Sequence, residues 1–219
     1  MRKELLAAVF ITLLFSAASV RADMLSYDFS TPAGPLGTSQ TYTSNGVTIT
    51  ASGYTLSGHH RRLFGKTDSG DEHGLGLKGE DDHEIDTKHF IQLNLASLYS
   101  HFGTSSLTVN LTIGSVQPGE GYDIYGTNTA GSLAGATLLN SGTLDEIPFS
   151  VTTGFQYLDV IARPGTEEGG HSDVLLSSLC ATSAVPEPAG LILFGVGALG
   201  LAGCAWRQRK RATDLLAAC

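Results

Sequence analysis

Five carboxylates stand in seven residues along Glu80-Asp81-Asp82-His83-Glu84-Ile85-Asp86. Acids this dense repel one another unless water or a cation separates them, and hard oxygen donors at this density suit calcium, which takes about six to eight of them. On this reading Asp81, Asp82, Glu84 and Asp86 are the ligands, completed by carbonyl oxygens from elsewhere in the chain. The spacing is not that of an EF-hand loop, since it lacks the glycine and the closing glutamate. A solvated acidic loop is the competing reading. Five of the seven histidines fall between His59 and His89, with the donor chemistry for zinc or copper but a spacing that fits no named motif. Gly74-Leu75-Gly76-Leu77-Lys78-Gly79 spells G-x-G-x-x-G. A dinucleotide fingerprint needs a strand before it and a helix after it, whereas acid-rich segments flank this one. Gly170-His171-Ser172-Asp173-Val174 begins like a nucleophile elbow and fails at Val174, where the strained turn requires glycine. No other serine is accompanied by a base and an acid in a recognisable pattern, so the sequence predicts a non-catalytic protein.

The elements that must position these residues read as strands. Short segments alternate in polarity and are separated by Gly, Ser, Thr and Asn. The candidates are 24–30, 47–51, 90–95, 107–113, 122–126, 137–140, 147–152, 156–162 and 173–180. In 107–113, Leu107, Val109, Leu111 and Ile113 alternate with Thr108, Asn110 and Thr112, a period of two. Asn45-Gly46, Pro118-Gly119, Ser141-Gly142 and Pro164-Gly165 are turn signals. No helical period is evident between residues 23 and 184, and 57–88 reads as one long polar loop. Many short strands with regular turns predict an all-β domain, a single β-sandwich or jelly roll.

Residues 23–184 carry six bases against 18 acids. That balance excludes nucleic acid as a partner, because affinity for phosphate needs clustered cations. It is compatible with calcium or other cations. Cys180 is the one cysteine of this stretch, so no disulfide closes within it. It has no Trp for stacking on sugar rings, which leaves Tyr42, Tyr54, Tyr99, Tyr122 and Tyr125 as candidates for carbohydrate contact.

The two ends of the sequence have a different character. Arg2 and Lys3, the apolar run Leu5 to Phe15 and the small residues before Ala22 form a secretory signal peptide over 1–22, with cleavage expected after Ala22. This implies Sec-type export and a signal peptidase. At the other end Val185-Pro186-Glu187-Pro188 precedes a charge-free apolar run, 189–206, and then the basic cluster Arg207, Arg209, Lys210 and Arg211. Eighteen residues make a helix of roughly 27 Å, close to the thickness of a hydrocarbon core. The cations after it should stay cytoplasmic and stop transfer, which places 23–184 beyond the inner membrane. Residues 212–219 form a short tail.

Together, the Pro-Glu-Pro motif, the apolar run and the basic stop over 185–211 resemble the PEP-CTERM sorting signal of exported bacterial surface proteins. Softer phrases inside the domain, among them Glu84-Ile85-Asp86, Tyr125-Gly126-Thr127-Asn128 and Tyr157-Leu158-Asp159-Val160, also look like proteins of that kind. The resemblance implies an exosortase-like enzyme that recognises Pro186, Glu187 and Pro188. It also implies a transient inner-membrane anchor and a mature form at the cell surface or secreted; adhesion or association with exopolysaccharide or biofilm matrix is the role expected of the domain at that destination. The alternative expectation is a calcium- or carbohydrate-binding module.

Overall fold

In the computed structural model the described residues are 23–67, 72–79, 82–165 and 172–182. They form two antiparallel sheets of seven strands each. The first contains β1 (Met24–Asp28), β2 (Gly34–Pro35), β6 (Leu63–Thr67), β7 (His73–Leu77), β9 (Leu107–Gly114), β12 (Phe149–Thr153) and β14 (Leu175–Thr182). Its order is β12-β9-β14-β7-β6-β2, and β1 also pairs with β14. The second contains β3 (Ser39–Ser44), β4 (Val47–Thr55), β5 (His60–Arg61), β8 (His89–Asn94), β10 (Tyr122–Thr127), β11 (Thr137–Gly142) and β13 (Tyr157–Ala162). Its order is β11-β10-β13-β8-β4-β3, with β5 on β4.

The strands form where alternation gives each a single apolar face. Leu107, Val109, Leu111 and Ile113 of β9 are all fully buried, while Thr108 and Asn110 between them are half-buried. They share one core with Leu25, Leu179 and Ala181 of their own sheet and with Ile49, Leu93, Leu158 and Val160 of the other, so the arrangement is sandwich-like. Each such side chain contributes about 1.5–3 kcal/mol on burial. The Asn45-Gly46 turn joins β3 to β4 with both residues at positive φ, 48° and 81°. That geometry matches the right-handed twist of the strands it connects.

All nine predicted strands are present, but three expectations need correction. Residues 57–88 are no single loop: β5, β6 and β7 run through them, because Leu63, Leu75 and Leu77 reach the core and anchor an otherwise polar, glycine-rich stretch. A helix, α1 (Ala96–Phe102), connects β8 to β9. Its seven residues bury only Leu98 fully, too little to print a helical period on the sequence. Ser141-Gly142 lies in β11 rather than in a turn.

The outer face of the second sheet is also covered. Tyr54, Phe90 and Ile161 form a small second cluster against Tyr125 and Leu133. The β10–β11 connection folds back over this face and seals Gln92 and Asp159 beneath it.

The chain enters and leaves the sheet side by side. Met24 pairs with Thr182 across β1 and β14, and Asp23 Oδ2 lies 2.7 Å from His101 Nε2 of α1. We call this the exit end. Thr182 also pairs with Thr108 at the start of β9, whereas Leu175 pairs with Gly114 at its finish. The connections β9–β10 and β13–β14 therefore lie at the opposite, distal end.

Candidate functional site

The distal end gathers most of the buried ionic chemistry. Lys66 of β6 is nearly buried, and its Nζ lies 2.6 Å from Glu84 Oε1 and 2.6 Å from Glu72 Oε2. Ser115 Oγ donates a second hydrogen bond to Glu84 Oε1 at 2.9 Å. Burial works to lower the Lys66 ammonium, and the hydrogen bonds it donates to the two carboxylates reverse that and hold it above its ordinary value. Burial raises the Glu84 carboxyl, against the pull of Lys66 and Ser115 and with added repulsion from Asp173. Of the two, Lys66 is the member whose charge is secure, since two acids share one ammonium. The local chain is built for this approach. A Cβ on Gly76 would stand 2.0 Å from His83 O, so glycine lets the 83–84 backbone lie flat on β7 and turn Glu84 inward.

A second acidic pair stands nearby. Glu120 accepts the Gln117 N–H at 2.8 Å and the Asp173 N–H at 3.4 Å, and its carboxyl is hydrogen-bonded to the Asp173 side chain. Burial pushes Glu120 up to about 7, opposed by the Gln117 N–H and reinforced by Asp173. Two carboxyls in contact hold a proton between them more readily than either does alone. The buried Ser172 hydroxyl exchanges hydrogen bonds with Gly121 N and O, each 3.3 Å. It is occupied with main chain. Beside these groups opens a cavity of about 420 Å³ lined by Val116, Gln117, Glu120, Thr143, Arg163 and Pro164. A volume in this range suits a small polar ligand.

The proposed calcium ligands are placed separately. Glu84 is inside, on Lys66. Asp86 is half-buried and accepts from His89 Nδ1 at 2.7 Å and from the Lys88 N–H at 2.8 Å. Asp82 is exposed, and Asp81 lies outside the described residues. The histidines are dispersed: His60 lies against Tyr54, His83 against Phe64, and His89 on Asp86. Among the described residues no three His, Cys, Asp or Glu side chains come together as metal donors. Gly74 to Gly79 is the strand β7 and the turn after it, with no helix following.

Sequence reasoning did not single out Lys66, Ser115 or Glu120. Nor did it find Asp159, which is fully buried on the covered face of β13. Gln92 Nε2 donates to Asp159 Oδ1 at 2.8 Å, while Oδ2 has no partner among the described residues. Burial pushes this carboxyl up to about 7 against the Gln92 bond. The one available signal was an acid in an otherwise apolar strand segment, Leu158-Asp159-Val160-Ile161.

Immediately beyond β14, residues 184–210 match the PEP-CTERM protein-sorting motif. The chain carries an exosortase sorting signal. The PEP-CTERM motif makes this an exported protein, sorted through a membrane-anchored precursor and processed by an exosortase-type enzyme. No curated protein and no solved structure matches the chain. The predicted processing residues Ala22, Pro186, Glu187 and Pro188, the apolar run 189–206 and the basic residues Arg207, Arg209, Lys210 and Arg211 all lie outside the described residues. No helix among the described residues is long and apolar enough to cross a membrane.

Proposed function

We propose that this is a non-catalytic surface or matrix protein, whose two-sheet domain is delivered by its PEP-CTERM signal and then acts in exopolysaccharide or biofilm association. Signal peptidase cuts after Ala22 following Sec-type export. Residues 189–206 then hold the precursor in the inner membrane with Arg207, Arg209, Lys210 and Arg211 on the cytoplasmic side. Cleavage near Pro186-Glu187-Pro188 releases the domain to the cell surface or beyond it. The observation that carries this reading is the sorting motif itself, which begins two residues after the last residue of β14. Prolines at 186 and 188 keep the motif out of any sheet or helix and so open to a protease. The absence of catalysis is supported by what the buried polar groups already do: Lys66, Glu84, Glu120, Ser172 and Gln92 each tie one segment of chain to another.

A second reading, a carbohydrate- or cation-binding module, is favoured by one observation, the polar cavity beside Glu120 and Arg163 at the distal end.

Replacing Pro186, Glu187 and Pro188 together with alanine tests the main reading. Export should continue while full-length protein accumulates in the inner membrane fraction. Arrival of the variant at the surface with the mature mass would overturn it.

A further inference from the structure

Building on the second reading above, we propose that the cavity beside Glu120 and Arg163 is a binding site for a single carboxylate-bearing sugar unit, a hexuronate, whose carboxylate is held by Arg163.

Arg163 directly follows β13, and its main-chain N–H donates to Gly121 O at 2.8 Å. Its guanidinium lies over the same residue. A Cβ on Gly121 would stand 2.8 Å from Arg163 Nη2 and 3.3 Å from Cζ, so glycine leaves the space in which the fork sits. Arg163 is half-buried and lines the cavity of about 420 Å³. Lys66 holds two carboxylates, whereas among the described residues no acid lies within ion-pair distance of the Arg163 guanidinium. A planar fork of N–H donors with no acceptor is matched by a carboxylate, which it can hold through two parallel hydrogen bonds.

The acids around the cavity are committed to the chain. Glu120 accepts the Gln117 and Asp173 N–H groups, and Asp145 accepts the Val116 N–H at 3.0 Å. Asp173 is hydrogen-bonded to the Glu120 side chain, and burial pushes Glu120 up to about 7. At neutral pH this pair therefore carries less than two full charges. Glu167 and Glu168 lie outside the described residues.

The remaining lining suits a sugar ring. The Thr143 hydroxyl, the Gln117 amide and the Glu120 carboxyl offer partners for ring hydroxyls, and Pro118 and Pro164 offer apolar faces. Among the described residues no aromatic ring lines the cavity, so a neutral sugar has nothing to stack on and charge must supply the selection. Residues 23–184 carry six bases against 18 acids, which repels a densely charged polymer. One guanidinium takes one carboxylate, so the unit bound is an isolated uronate among neutral sugars.

The test titrates the full chain, in a detergent without a sugar headgroup, with methyl β-glucuronide, methyl β-glucoside, acetate and calcium chloride, and follows each by calorimetry. The glucuronide should bind, and the glucoside and acetate should bind several-fold more weakly. Arg163→Gln should weaken the glucuronide about tenfold or more, the loss expected for a charge-assisted contact. If that variant melts below the wild type, Arg163→Lys takes its place. It keeps the charge and loses the fork, so it should weaken the glucuronide several-fold and leave the glucoside unchanged. Equal binding of glucuronide and glucoside, indifferent to both variants, would overturn the inference and leave a neutral-sugar module standing. Acetate binding as tightly as the glucuronide would overturn the sugar ring as the ligand. Heat from calcium alone would overturn the inference in favour of a cation module. Silence from all four would overturn the second reading, and the inference with it.

Discussion

Lys66 and Asp159 are two solutions to the burial of charge. Lys66 lies 2.6 Å from each of two carboxylates, so Lys66→Met strands Glu84 in the interior without its cation. Removing one partner of a buried pair costs about 3–5 kcal/mol, and a fall in stability of that order should appear in urea denaturation. Replacing both members with apolar residues, Lys66→Met with Glu84→Leu, should recover much of the loss. Among the described residues Asp159 has no cation beside it, and its Oδ2 has no partner. Its folded pKa of about 7 lies above its ordinary value of 3.8, so between those values the native state binds more protons than the unfolded chain. Stability is then greatest below about pH 4 and falls as pH rises toward 7. Glu120, also raised to about 7, acts with the same sign. Melting temperatures measured from pH 4 to 8 should decline across this window, and Asp159→Asn should flatten part of the decline. An identical slope in the variant would contradict the role given to Asp159.

At the scale of elements, glycine does different work in different places. Gly76 lies in β7, and a methyl group there would meet His83 O at 2.0 Å, a main-chain atom held by its own hydrogen bond to Leu77 N. Gly76→Ala should therefore cost at least the 1–3 kcal/mol typical of overpacking, about as much as losing a core contact. Gly46 in the β3–β4 turn has open space around it but a φ of +81°. Gly46→Ala should cost about 1–2 kcal/mol through left-handed backbone alone. Thermal denaturation of the two variants separates crowding from conformation. The same residues show how far the sequence could be read. Asn45-Gly46 was legible as a turn because its chemistry is local. Gly74-Leu75-Gly76-Leu77 was not legible as a strand, since Gly76 answers to the 83–84 backbone folded back across the following loop and Gly74 to Leu176, about a hundred positions on. The helix α1 was hidden for a similar reason: it is held through Tyr99, whose hydroxyl donates to Thr153 O and Phe155 O, more than fifty residues away.

For the whole molecule, the commitment of its acids to partners within the chain sets what calcium should do. Glu84 is committed to Lys66, and Asp86 to His89 and the Lys88 N–H. Titration of the exported protein with calcium should therefore give no binding heat and leave the melting temperature unchanged. A melting temperature that climbs with calcium concentration would favour the ligand-binding module over the matrix protein.

Strand content, the all-β class and the sorting signal could all be read from the linear order of residues, because alternation, turn chemistry and a short processing motif are local properties. The partners of the acids were another matter. Nothing within a few residues of Glu84 indicates Lys66, eighteen positions earlier, and nothing near Asp159 indicates Gln92, sixty-seven positions away. Whether a carboxylate faces water, a cation or a buried amide depends on which strands become neighbours. That choice is made by the packing of the two sheets, as is the placing of both chain exits at one end and the acidic loops at the other.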